Sequence, residues 1–289
     1  MIQSDFVTQA NREDIVTTSP RNISLLDPIS DAFVTGVREL CQHPTLRYQW
    51  IRYLPDPSGD HWDFFWKVLV EKIKDSICRQ DVFFLRDSSL TTNLDHAMRL
   101  APGQVDEDGN PLFADLLPPA TSYISPDYIN GDLNILVRFG LKNLPQKEFL
   151  ARVKLDLSKP LTSKMMSYET NEDWHSRAAR WLSLSFEHNC VDLISETKSL
   201  DLIPLDNKTW TSSMNGDVFF PDTTNGMPIP NDLDLQLVDP EAPIPQDRKL
   251  LFDHLGVKYA STEEIRAKII QKYDDFASCS LEESMVHLR

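Results

Sequence analysis

The chain has little of what most nucleotide-binding or metal chemistry needs. Its 289 residues contain nine glycines, and no two of them form the close cluster that lets backbone N–H groups converge on a phosphate. Neither G-x-G-x-x-G nor G-x-x-x-x-G-K-[ST] occurs. The four cysteines, Cys41, Cys78, Cys190 and Cys279, are far apart and form no C-x-x-C pair, so they read as free thiols of a reducing compartment and not as a disulfide framework. No apolar run approaches the roughly 18 residues of a membrane span, and no apolar leader stands at the N-terminus. Positive charge is scarce as well. Against 44 acidic residues there are 29 Lys and Arg, a net charge of -15 with no basic cluster, which repels the phosphate backbone on which nucleic-acid affinity rests.

Catalytic motifs are missing too. There is no G-x-S-x-G elbow. Cys41 with His43, and His188 with Cys190, are single pairs where a zinc site needs tight pairs on both sides. The acidic stretch from Asp106 to Asn110 lacks the spaced oxygens and closing Glu of a calcium loop and reads as a turn. His175 follows Trp174 on a helical stretch and reads as a hydrogen-bonded structural histidine. Asp87 and Asp206 sit at turns, where capping of their own backbone explains them better than acid-base work. No metal and no cofactor is expected.

What is present is one unit used twice. The first copy runs from Val82 and Leu85 through a polar turn to Leu90 and Thr91, and ends at Phe139-Gly140. The second runs from Leu202 and Leu205 through a polar turn to Trp210 and Thr211, and ends at Leu255-Gly256. Leu85 and Leu205 are 120 residues apart, and the two closing glycines 116. So long a period points to repeated small domains and not to a solenoid.

The chain in order suggests an α+β fold, with a helical N-terminal block followed by two small mixed α/β units joined by helices. Residues 1–20 are polar and aperiodic and read as a flexible tail. Residues 21–80 form the helical block. Asp27-Pro28 opens its first helix, and apolar stripes run through Ile29, Phe33, Val37 and Leu40, then Leu46, Trp50 and Leu54, then Trp62, Phe65, Trp66, Leu69 and Ile73. Residues 81–160 are the first α/β unit, with strand-like Val82–Leu85 and a helix closed by Gly140. Residues 161–200 are a connecting helical segment with Trp174, Ala178, Trp181 and Leu182 on its buried side. Residues 201–260 are the second unit, and 261–289 the C-terminal helices. Ser261 and Glu264 form a capping box, as do Ser280 and Glu283. The second of these begins a stripe at Met285 and Leu288 that reads as cut short at Arg289.

Several segments together resemble one family: Phe33–Val37 with Thr45–Pro55, Asn110–Phe113, Tyr123–Tyr128, Asp173–Arg177, Ile229–Leu233 and Leu251–Val257. The set is similar to the middle region of large fungal proteins of the sacsin-like or NO VEIN-like group, over about residues 20–289. Those proteins carry a gyrase/chaperone/histidine-kinase (GHKL) type ATPase domain followed by a long α/β region. No residue here matches the ATP-binding Asn, the Asp-x-Gly-x-Gly segment or the glycine-rich lid, so no ATPase role is carried to any position. The resemblance implies a non-catalytic structural or protein-interaction region of a larger ATP-dependent, chaperone-like protein. Its partners would be proteins, including the remainder of a longer polypeptide, and not nucleic acid or membrane. It would be intracellular, cytoplasmic before nuclear. A freestanding adaptor, and a hydrolase with an unfamiliar site, are the alternatives. The candidate interaction surface is Arg47, Trp50, Arg52, Trp174, Arg177 and Trp181, where arginines flank aromatic stripes.

Overall fold

The computed structural model describes residues 4–11, 14–57, 63–87, 89–116, 120–230 and 232–275. Trp62, Cys279 and the Ser280–Glu283 box with Met285 and Leu288 lie outside them. The fold is α+β, and the chain divides into two compact units. One holds residues up to Ala101 together with Asp115–Pro145, and the other holds Pro102–Ala114 with the chain from Gln146 onward.

In the first unit, α1 (Pro20–Ser24) and α2 (Leu26–Gln42) are followed by a 3-10 turn at Trp50–Tyr53 and by α3 (Phe64–Cys78). Asp63 starts α3 by accepting the Trp66 backbone N–H at 3.0 Å. Asp27 lies in the first turn of α2 but does not cap it, because the helix already begins at Leu26. Residues 4–11 and 14–19 are no loose tail. Val7 and Val16 pair, the Asn22 amide bonds both their carbonyls, and Phe6 packs edge-on against Phe65 and Trp66. Strands β1 (Phe83–Phe84) and β2 (Thr91–Thr92) pair antiparallel. A three-stranded parallel sheet has β3 (Ala97–Arg99) between β4 (Ser122–Tyr123) and β5 (Lys142–Asn143). Helix α4 (Asn130–Phe139) ends at Gly140, whose φ of 121° only glycine adopts without strain. One core joins Leu26, Trp50, Ile73, Phe83 and Leu136. The helical block and the first strands therefore do not separate near residue 80.

In the second unit, α5 (Gln146–Leu157), α6 (Glu172–Glu187) and α7 (Val191–Lys198) precede the hairpin of β6 (Ile203–Pro204) and β7 (Trp210–Thr211). The parallel pair β8 (Val218–Phe219) and β9 (Gln236–Leu237) comes next, then α8 (Gln246–Leu255) and α9 (Thr262–Asp275). Asn171 caps α6, and Ser261 and Glu264 exchange both bonds of a capping box at α9. Residues 102–114 of the first copy belong here. Phe113 meets Phe149 and Trp174 edge-on at 5.3 and 5.1 Å, and Gly103 lies so close to Trp181 that a Cβ would sit 2.6 Å from its Nε1.

The repeat is written in backbone hydrogen bonds. Gln80 N–H donates to Ile77 O and Leu200 N–H to Thr197 O; Arg86 N–H donates to Tyr123 O and Asp206 N–H to Leu237 O; Ser125 N–H donates to Phe84 O and Asp239 N–H to Pro204 O. In the turns, Asp87 accepts the Ser89 N–H and hydroxyl, as Asn207 accepts those of Thr209. The second turn is thus capped by Asn207 and not by Asp206. The loops Val105–Pro111 and Asp222–Pro228 close with the same bridge, and Gly109 and Gly226 take φ of 77° and 74° in them. Helices α4 and α8 match end to end at an offset of 116. One register differs from the sequence reading. Phe84 pairs with Thr91 and Pro204 with Trp210, so Trp210 takes the place of Thr91, and the first turn is one residue longer than the second.

Candidate functional site

Three segments of the second unit converge on a cavity of about 280 Å³. The loop into α6 supplies Ser167, Tyr168, Glu172 and His175. The β6–β7 hairpin supplies Pro204, Lys208 and Trp210. The approach to α8 supplies Asp239, Ala242 and Arg248. The local sequence sets each of these. Asn171 holds the α6 start, so Glu172 and His175 stand in its first turn. Lys208 sits at φ 64°, a left-handed conformation at the tip of the Asn207 turn, and its ammonium reaches Asp239 Oδ2 at 2.5 Å. Arg248, buried on α8, donates from Nη1 to both Glu172 oxygens at 2.9 and 2.8 Å.

Each cation of the cavity is matched by a carboxylate, and one carboxylate is left over. Lys208 faces Asp239 and Arg248 faces Glu172, with Glu241 adding one more carboxylate to the lining. His175 is buried, its Nε2 3.3 Å from Ser167 O, and its Nδ1 has no hydrogen-bond partner. Burial first, then the nearby Arg248 charge, push its pKa down to about 4. Tyr168 and Trp210 form an aromatic wall with ring centroids 6.0 Å apart, and Lys208 Nζ lies 4.9 Å from the Tyr168 centroid. A larger groove of about 500 Å³, between β8–β9 and α9, is lined by Phe219, Leu235 and Ile265 with Glu264 and Lys268. It lacks a buried polar set and is the weaker candidate.

The Arg248–Glu172 pair has a counterpart with its charges exchanged. Asp132 occupies on α4 the position of Arg248 on α8, and Arg52 donates to it from Nε at 2.9 Å. Arg52 and Glu172 are 120 residues apart, the offset of the hairpins. Glu172→Arg should cost about 1–2 kcal/mol in urea denaturation, less than a fully buried pair because Glu172 is 54% exposed. The double variant Glu172→Arg with Arg248→Asp should recover most of that loss. A double variant no better than the sum of its singles would show that the pairing carries nothing.

The residues expected as an interaction surface are placed differently. Trp50 is fully buried against Phe83, and Trp174 is 5% exposed beneath Phe113. Neither ring faces solvent, because both lie on the apolar side of their segments where the core closes. Trp181 is half-buried against Phe149. Arg47 stacks over Tyr48 and Phe84, Arg52 holds Asp132, and Arg177 bonds Asp173 and the Val105 carbonyl. Three of the six fall in the first unit and three in the second, and none of them lines the cavity. Of the cavity residues, sequence reasoning named His175, as a structural histidine, and Trp210, as part of the repeated unit. Asp106 accepts the Asp108 and Asn110 backbone N–H groups, which makes its acidic stretch a self-capped turn. Among the described residues, no three His, Cys, Asp or Glu side chains gather as a metal site, and no helix is long and apolar enough to cross a membrane. No family model, no curated protein and no solved structure matches the chain.

Proposed function

We propose that this chain is a non-catalytic structural and protein-interaction region, of the kind that follows a GHKL-type ATPase domain in sacsin-like or NO VEIN-like proteins. One observation supports the reading above the others. The two copies reproduce the same backbone bonds and turn caps, while the ion pair between equivalent positions exchanges its groups: Arg52–Asp132 in one is Glu172–Arg248 in the other. What is duplicated is a frame for packing, and chemistry that depended on a fixed set of groups would have kept them. In this reading the partners are proteins, the rest of a longer polypeptide among them, and the site of action is inside the cell, cytoplasmic before nuclear. The unpaired thiols of Cys41 and Cys78 agree with a reducing compartment. Burial raises both to about 11, which leaves them unreactive at neutral pH.

A hydrolase is the second reading, because polar groups from three segments meet at His175. Its pKa near 4 makes it a weak base at neutral pH, which favours the first reading. The test has two arms. Purified chain is assayed on a reporter ester and a reporter phosphate monoester, and is mixed with a GHKL ATPase domain of a sacsin-like protein while ATP turnover is followed. The proposal expects no hydrolysis by the chain alone and a changed ATPase rate on mixing. Turnover that His175→Ala abolishes would replace the proposal with the hydrolase. An ATPase rate that never changes would remove the link to that domain.

A further inference from the structure

The cavity exists because the second copy lacks a ring that the first copy has. In the first copy the turn before α4 is set by Ser125, whose hydroxyl accepts the Asp127 N–H. In the second, Asp239 accepts the Glu241 N–H in the same way, 114 residues on. The next residue is Tyr128 in one copy and Ala242 in the other. Tyr128 is 3% exposed, its ring stands edge-on to Tyr48 at 5.1 Å, and its hydroxyl accepts the Phe84 N–H at 3.0 Å. The counterpart of Phe84 is Pro204, which has no N–H to give. Ring and hydrogen-bond donor are thus lost together. One aromatic neighbour is kept and one is new: Tyr168 stands 120 residues from Tyr48, and Trp210 supplies a ring where the first copy has Thr91. The result is an aromatic slot with no ring in it.

We infer that this slot takes the phenol ring of a tyrosine side chain presented by a protein partner. The inference rests on the interaction reading above and names the chemistry of one partner contact. The ring would lie against the wall that Tyr168 and Trp210 form with Pro204, over Ala242, as Tyr128 lies beside Tyr48 and Phe84. Its hydroxyl would meet Asp239 and Lys208 in place of the missing backbone N–H. A phosphate or carboxylate ligand fits worse, because both cations are already matched by carboxylates and Glu241 adds negative charge.

The test uses the full chain and ligand-observed NMR with p-cresol, 4-methylcyclohexanol and the blocked tripeptide acetyl-Gly-Tyr-Gly-amide. p-Cresol should bind with a Kd on the order of 1 mM, the range open to a ligand of its size, and at least fivefold more tightly than the saturated alcohol. The tripeptide should bind no more weakly than p-cresol. Ala242→Tyr, which returns the ring covalently, should weaken p-cresol at least tenfold. Ile244→Tyr, at a neighbouring side chain 77% exposed, should leave it unchanged. Circular dichroism establishes that each variant is folded. Should Ala242→Tyr fail to fold, Trp210→Ala takes its place, with the same loss expected. No p-cresol binding at ten times the expected Kd overturns the inference, as does equal binding of the saturated alcohol or equal binding by the folded variant. p-Cresol binding without tripeptide binding assigns the slot to a free small aromatic and overturns the tyrosine partner. None of these outcomes touches the ATPase arm of the functional test, so the two proposals can fail separately.

Discussion

Trp50→Ala should lower the folding free energy by about 3–5 kcal/mol, the cost of emptying a buried indole site. The ring is 0% exposed and packs at 5.5 Å against Phe83, which is itself fully buried in the first strand of its unit. The 3-10 turn that carries it also packs on α4, so the loss reaches the helix that closes the copy. A stability this large is a sizeable part of what a single domain has. The buried Nε1 has no hydrogen-bond partner, so Trp50→Phe removes an unsatisfied donor while it leaves a smaller void, and should cost less than half as much. Urea denaturation followed by circular dichroism measures both. If Trp50→Ala shifts stability by less than about 1 kcal/mol, the ring is no core residue, and the surface role that the arginine-aromatic run suggests would return.

Acid should weaken the second unit through His175. The unfolded histidine titrates near 6.5 and the folded one near 4. Between these values the unfolded chain binds the proton and the folded chain does not, so stability is fully present above about pH 6.5 and falls as pH drops, until it levels near 4. The full effect is on the order of 3 kcal/mol. Burial is the main cause and Arg248 adds to it, while the Ser167 carbonyl, Glu172 and Asp156 pull the other way. His175→Phe keeps a ring beside Trp174, whose centroid is 5.3 Å away, and removes the titrating group. The variant should therefore lose clearly less stability than the parent between pH 7 and 4.5, although carboxylates weaken both alike. Equal pH dependence in parent and variant would show that His175 is charged in the fold or free to leave its site.

The parts of this fold that local chemistry decides were legible in the sequence. Gly140 and Gly256 close helices because a left-handed residue is needed after each, and Ser261 with Glu264 caps α9 because both partners of the box are present. The repeat also showed, since its offsets hold at both ends. Helix α7 did not stand out within the helical segment expected over residues 161–200: of its eight residues only Thr197 is buried, and Val191 is 76% exposed, so no apolar stripe marks it. The N-terminal segment looked like a tail because, among its described residues, only the apolar side chains of Phe6 and Ile15 pack on the core, and the rest is held by backbone bonds to Asn22. The cavity was hidden for another reason. It is made by a small residue where the other copy has a large one, and a sequence announces a ring more clearly than the place where a ring is missing. Setting Tyr128 beside Ala242, and Phe84 beside Pro204, would have exposed it. Residue-by-residue comparison of the copies was needed, and the one-residue difference between their hairpin turns obscures it.

The placement of residues 102–114 has a consequence for synthesis. They leave the ribosome between the two segments of the first unit, yet their apolar contacts are made with helices that follow later. Phe113 waits for Phe149 on α5 and for Trp174 on α6, and Gly103 for Trp181. A nascent chain halted between α5 and α6 would carry Phe113 and Phe149 without the two tryptophans that pack on them. That is a sticky intermediate of the kind chaperones hold, and it disappears once the last turn of α6 emerges.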